Sequence, residues 1–137
     1  YFTRTDYGVT GTLSVVNGSR TEAIFSQADD GTLFRWPMDI VEAPDSSDGA
    51  LSWVIADFGA GLLFWIHPDG SVTAHPAGSS KPQSLLFVDN TLYISGEDGV
   101  FKQDWPSGTP EKIDARSALA LECFWLMFLN VFLFHQP

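Results

Sequence analysis

Cysteine occurs once, at Cys123, so no disulfide framework can close within the chain. Basic residues are scarce as well. Seven Lys and Arg stand against seventeen Asp and Glu, for a formal net charge of −10 and a pI near 4.3. Such a surface repels phosphate backbones, which excludes nucleic acid from the expected partners. The first residues, Tyr1-Phe2-Thr3-Arg4-Thr5-Asp6, include no initiator Met, no basic region followed by an apolar stretch and no cleavage motif. They are not a signal peptide, and the chain is expected to start after processing or to be a piece of something longer. Before Arg116 no window has a helical period. What is present is enough for one domain: 137 residues, of which 45% are apolar and only 18% charged.

The strongest pattern is an internal repeat. Asp29-Asp30-Gly31-Thr32-Leu33-Phe34-Arg35-Trp36-Pro37 is matched by Phe58-Gly59-Ala60-Gly61-Leu62-Leu63-Phe64-Trp65-Ile66-His67-Pro68-Asp69-Gly70 and by Glu97-Asp98-Gly99-Val100-Phe101-Lys102-Gln103-Asp104-Trp105-Pro106. Each has an acidic or glycine turn, an aliphatic–Phe pair, a nearby Trp and a Pro. Runs rich in β-branched and aromatic residues precede them, at 12–16 and 21–26, at 51–56, and at 84–88 and 91–95. Asn17-Gly18, Asp89-Asn90 and Asp98-Gly99 mark tight hairpins, because these residues tolerate positive φ. The unit is thus an antiparallel four-stranded meander. Such a unit cannot bury both faces alone, and radial stacking covers them. The expected fold is all-β, a partial β-propeller of about three four-stranded blades over 1–116, with a single β-sandwich as the alternative. Propellers close with about 4–8 blades, so three leave the ring open. The two end blades would then expose apolar faces, and self-association is expected.

The composition changes abruptly after Arg116. Residues 117–137 carry no Lys or Arg, four of the eleven Phe, and Cys123. Three readings stay open for this apolar segment: a helix docked on the domain, a tail anchor for a membrane, or a misread gene end. As a helix it would place Glu122, Leu126 and Asn130 in one partly polar stripe.

The stretch Pro82-Gln83-Ser84-Leu85-Leu86-Phe87-Val88-Asp89-Asn90-Thr91-Leu92-Tyr93-Ile94-Ser95, with His67-Pro68-Asp69-Gly70-Ser71-Val72-Thr73, resembles the blades of NHL and SMP-30/gluconolactonase-like six-bladed propellers. The resemblance covers roughly residues 58–104. It implies the propeller fold. The enzymes of that superfamily hold a divalent cation such as calcium in the channel, through an Asn after the Pro and an Asp two residues beyond the Tyr–aliphatic pair. Gln83 and Gly96 occupy those places here. A shorter stretch, Ile24-Phe25-Ser26-Gln27-Ala28-Asp29-Asp30-Gly31-Thr32-Leu33, is similar to the blades of fungal fucose-binding lectins.

Candidate sites are few. His67, His75 and His135 lack the paired spacing of a structural zinc site, so no metal site and no cofactor is expected. No Gly-x-Ser-x-Gly occurs, and the acids at 29–30 and 97–98 precede turn glycines. Trp36, Trp65 and Trp105 recur near equivalent places. They are expected either to pack between blades or to form aromatic platforms for a sugar or peptide. Asn17-Gly18-Ser19 is a glycosylation sequon, which favours a secreted or extracellular setting; anchoring to a membrane would come through the tail only. The expected function is a non-enzymatic binding or scaffold module, with a protein or carbohydrate as partner. The alternatives are a metal-dependent lactonase-type hydrolase of the SMP-30 kind and a propeller lectin.

Overall fold

The computed structural model describes residues 2–5, 11–17, 19–44 and 51–113. Among these the chain is all-β, without a helix. The strands are β1 (Phe2–Thr5), β2 (Gly11–Asn17), β3 (Arg20–Phe25), β4 (Pro37–Ala43), β5 (Ser52–Asp57), β6 (Leu62–Ile66), β7 (Val72–Pro76), β8 (Pro82–Val88), β9 (Thr91–Gly96), β10 (Gly99–Asp104) and β11 (Glu111–Lys112). They form three antiparallel sheets in chain order, β1-β2-β3, β4-β5-β6-β7 and β8-β9-β10-β11. Every pairing joins consecutive strands, as a meander requires.

Local chemistry sets the turns. Asp89 adopts φ 53° between β8 and β9, a left-handed conformation that Asp and Asn reach more readily than most residues. Gly61 turns the chain into β6 at φ 69°, and a Cβ there would stand 2.7 Å from the Ser80 carbonyl oxygen. Glycine is therefore required twice over, by backbone angle and by space.

The middle sheet is covered on both faces. From β4, β5 and β6, the side chains of Ala43, Val54, Ala56 and Leu63 pack against Leu85, Leu92, Ile94, Phe101 and Trp105 of the third sheet and its following turn. The alternate residues Ile55, Phe64, Ile66 and Val72 pack against Leu13, Ala28 and Phe34 on the first-sheet side. This explains why 53–56 is an uninterrupted apolar run, since a strand buried on both faces has no polar alternation. The first strands of successive sheets lie side by side, β1 beside β4 and β4 beside β8.

Two carboxylates tie the layers. Asp39 in β4 accepts the Leu85 amide of β8 at 2.8 Å through Oδ2, and Asp29 accepts the Val72 amide of β7 at 3.1 Å. Asp29 also donates its own amide to the Val72 carbonyl at 2.9 Å.

The first sheet has three strands, and the 29–37 segment, which the sequence pattern makes a strand, contributes only an isolated bridge between Gln27 and Leu33. Residues 37–43, which have no clear strand alternation in sequence, form β4, the first strand of the second sheet. The docked-helix, tail-anchor and misread-end readings of 117–137 concern a segment outside the described residues.

Candidate functional site

The three tryptophans do not occupy equivalent places. Trp65 lies within β6, Trp105 in the turn after β10, and Trp36 just before β4. Two aromatic clusters result, at different parts of the structure.

The first is built where three loops converge at one end of the second sheet: the segment leading into β4, the β5–β6 turn, and the segment leading into β8. Asp57, the last residue of β5, is fully buried. Its carboxylate accepts three backbone amides, from Arg35 and Trp36 at 2.8 Å each and from Ala60 at 2.9 Å. The Phe58 amide donates to the Trp36 carbonyl at 2.9 Å. Gly59 permits the close approach, because a Cβ there would meet the Arg35 Cβ at 2.8 Å and the Trp36 Cβ at 3.1 Å.

Held in this way, Trp36 remains 50% exposed and meets the Phe58 ring edge-on, with centroids 5.2 Å apart. Lys81 places its ammonium 5.3 Å from the centre of the Phe58 ring. The same ammonium reaches the Glu97 carboxylate at 3.8 Å, with both side chains about half exposed. An ion pair this open contributes little to stability. Met38, also exposed, follows Trp36 by two residues. The result is a water-facing aromatic edge on an anchored backbone, with a basic group beside it.

The second cluster lies between the second and third sheets. Trp65 and Trp105 meet in a T at 5.0 Å, Phe87 packs on Trp105 at 5.8 Å, and the His67 ring lies 3.9 Å from that of Trp65. Trp105 is only 8% exposed, and the Trp65 indole nitrogen is buried with no hydrogen-bond partner. Trp105 is thus buried and Trp65 half-buried in the packing between the two sheets. Thr73 Oγ1 sits 2.8 Å from His67 Nε2 and 2.7 Å from His75 Nε2. A hydroxyl carries one proton, so when Thr73 donates to one imidazole the other must donate to it.

Burial, and then the nearby His67, hold the His75 pKa below its ordinary 6.5. The unfolded chain therefore takes up this proton at a higher pH than the folded one. The stabilising contribution of neutral His75 is complete above about pH 6.5 and is lost as pH falls through its depressed folded value. Urea unfolding midpoints measured from pH 7.5 to 5 are expected to decline, and His75→Phe is expected to flatten that decline. A midpoint that rises on acidification would contradict this assignment.

The acids flanking turn glycines are engaged locally. Asp30 accepts the Thr32 amide and Asp69 accepts the Ser71 amide and hydroxyl; these bonds hold both carboxyls below their ordinary range. The Ser79 hydroxyl donates to Asp98 and lowers it likewise. Asp98 also accepts the Ser80 amide at 3.2 Å. In the second and third sheets alike, an acid at the end of the second strand or in the turn after it thus anchors the segment leading into the first.

Gln83 lies half-buried in β8, and Gly96 ends β9. A Cβ at Gly96 would collide with the Ser79 side chain, so this backbone leaves no room for an Asp there. Among the described residues no group of three or more His, Cys, Asp or Glu side chains is placed to hold a metal ion. Asn17 is the last residue of β2, paired with Arg20 across the β2–β3 turn, which puts the sequon at a hairpin. Compared with protein families, curated proteins and solved structures, the chain matches none.

Proposed function

We propose that this chain is a segment of a β-propeller acting as a non-enzymatic binding or scaffold module, with the Trp36–Phe58 edge as its ligand-contacting surface. The propeller reading is supported by the chain-order succession of meanders. It is further supported by first strands lying side by side and by a middle sheet covered by its two neighbours. Three sheets fall short of a closed ring, so further sheets or a second copy would complete it.

The observation that carries the binding reading is a half-exposed indole that rests edge-on against Phe58, on a backbone held by a buried carboxylate. Exposing an indole forgoes burial of a large apolar surface, and fixing it in advance removes part of the ordering cost of binding. A flat apolar face with one polar donor suits the C–H face of a sugar ring, so carbohydrate is the ligand class this surface favours. A protein partner is the second reading, supported by the neighbouring exposed Met38 and the basic Lys81.

Glycan-array binding separates them. Under the carbohydrate reading, Trp36→Ala is expected to weaken the signal at least about tenfold, the loss of one stacking contact, with the unfolding midpoint changed little. Binding by the parent chain that survives Trp36→Ala would remove this surface from the proposal. A parent chain that binds no glycan would overturn the carbohydrate reading. One calcium or zinc per chain, with lactone turnover, would favour the hydrolase instead.

A further inference from the structure

The far face of the third sheet differs from both faces of the middle sheet. Its central residue is Tyr93 in β9, 9% exposed. Around Tyr93 pack Leu86, Val100 and Ile113, all half-buried and all from the same sheet or the residue directly after it. Val88, at the end of β8, is 42% exposed. In the middle sheet both faces meet another sheet. Here no described sheet packs against this face, yet it carries a contiguous apolar strip.

Its occupant is indicated by where the chain goes next. Ile113 donates its amide to the Val100 carbonyl at 2.8 Å, which delivers the chain to the edge of this same face. Five residues later begins the longest apolar run in the sequence, 118–134, interrupted only by Glu122 and Asn130. As a helix, 118–134 would extend about 25 Å, which matches the roughly 23 Å of the seven-residue β8. A tether this short sets an effective concentration on the order of millimolar, well above any working concentration of a second copy.

We propose that the apolar segment 117–134 covers the Tyr93 face of the third sheet within the same molecule, in the position a further sheet would otherwise take. This inference stands apart from the ligand reading, because it uses a different face and does not involve Trp36.

Cys123 is the only cysteine and lies within this run, so it serves as a built-in probe. Val88→Cys and Lys102→Cys each add one thiol to the far face, on the two strands flanking β9, so that two positions are sampled in case one substitution harms folding. Thr32→Cys, in a turn at the first sheet, is the control. Under mild oxidation of the full chain at low micromolar concentration, an intramolecular disulfide to Cys123 is expected with at least one far-face thiol. It should form at least about tenfold faster than with the control, and at a rate independent of protein concentration. Disulfides that form only between molecules would assign the face to a second copy and overturn the proposal. Rates no faster than the control at both far-face positions would overturn it as well.

Discussion

Replacing Asp57 with alanine is expected to lower the unfolding free energy by about 4 kcal/mol, read from urea unfolding. The carboxylate is fully buried and accepts the amides of Arg35, Trp36 and Ala60. Hydrogen bonds to a charged acceptor contribute roughly 1.5–3 kcal/mol each, and the three share one group, so the total is less than their sum. Alanine would leave three amides without their acceptor at a point where two loops press together. Asp57→Asn keeps one carbonyl oxygen and should cost less. Stability is expected to fall from the parent chain to Asp57→Asn and again to Asp57→Ala. An alanine variant as stable as the parent would show that water replaces the carboxylate without penalty. The same variant should also weaken any ligand held at Trp36, because the backbone that carries the indole would lose its anchor.

Phe64→Ala is expected to cost about 3–5 kcal/mol, as large-to-small changes at fully buried aromatics do. Phe64 has no exposed surface and lies 4.4 Å from the ring of Phe34, centroid to centroid. That contact joins the second sheet to a segment with little ladder of its own: Phe34 donates to Ser26 and accepts from Gly11, next to the single Gln27–Leu33 bridge. The loss should therefore be uneven, with limited proteolysis cutting first around 26–34 while β8–β10 stay resistant. Domains have only about 5–15 kcal/mol of stability in all, so either substitution removes a large share.

The meanders were legible from sequence because their determinants are local. Asp89-Asn90 and Asp98-Gly99 name their own hairpins, and runs such as 91–95 have strand composition over their whole length. The matched Phe64 and Phe101 do lie in corresponding strands, β6 and β10. What sequence concealed depends on distant partners. β4 begins with Pro37 and carries Asp39 and Glu42, which obscures a strand in sequence; it pairs along its length with β5, and Asp39 accepts the Leu85 amide 46 residues away. Trp36, Trp65 and Trp105 follow the matched Phe34, Phe64 and Phe101 by two, one and four residues, and one or two residues of register decide which face of a sheet a side chain meets. In sequence Asp57 is one acid among many, and only its three amide partners give it importance. The one available hint was its place at the end of an apolar run, where a charged side chain is costly unless fully bonded.

The double cover of the middle sheet has a kinetic counterpart. To release the amides of Val54, Ile55, Leu63 and Phe64 to solvent, the layers on both sides must first swing away. Among the described sheets, the first has to peel from only one neighbour, and so does the third unless its far face is also held. Breathing motions should accordingly start at the flanks and reach β5 and β6 last. Amide hydrogen exchange would then grade across the molecule, slowest in those two strands, where opening approaches the free energy of complete unfolding. Exchange in β9 as slow as in β5 would indicate that the far face is held as firmly as the middle.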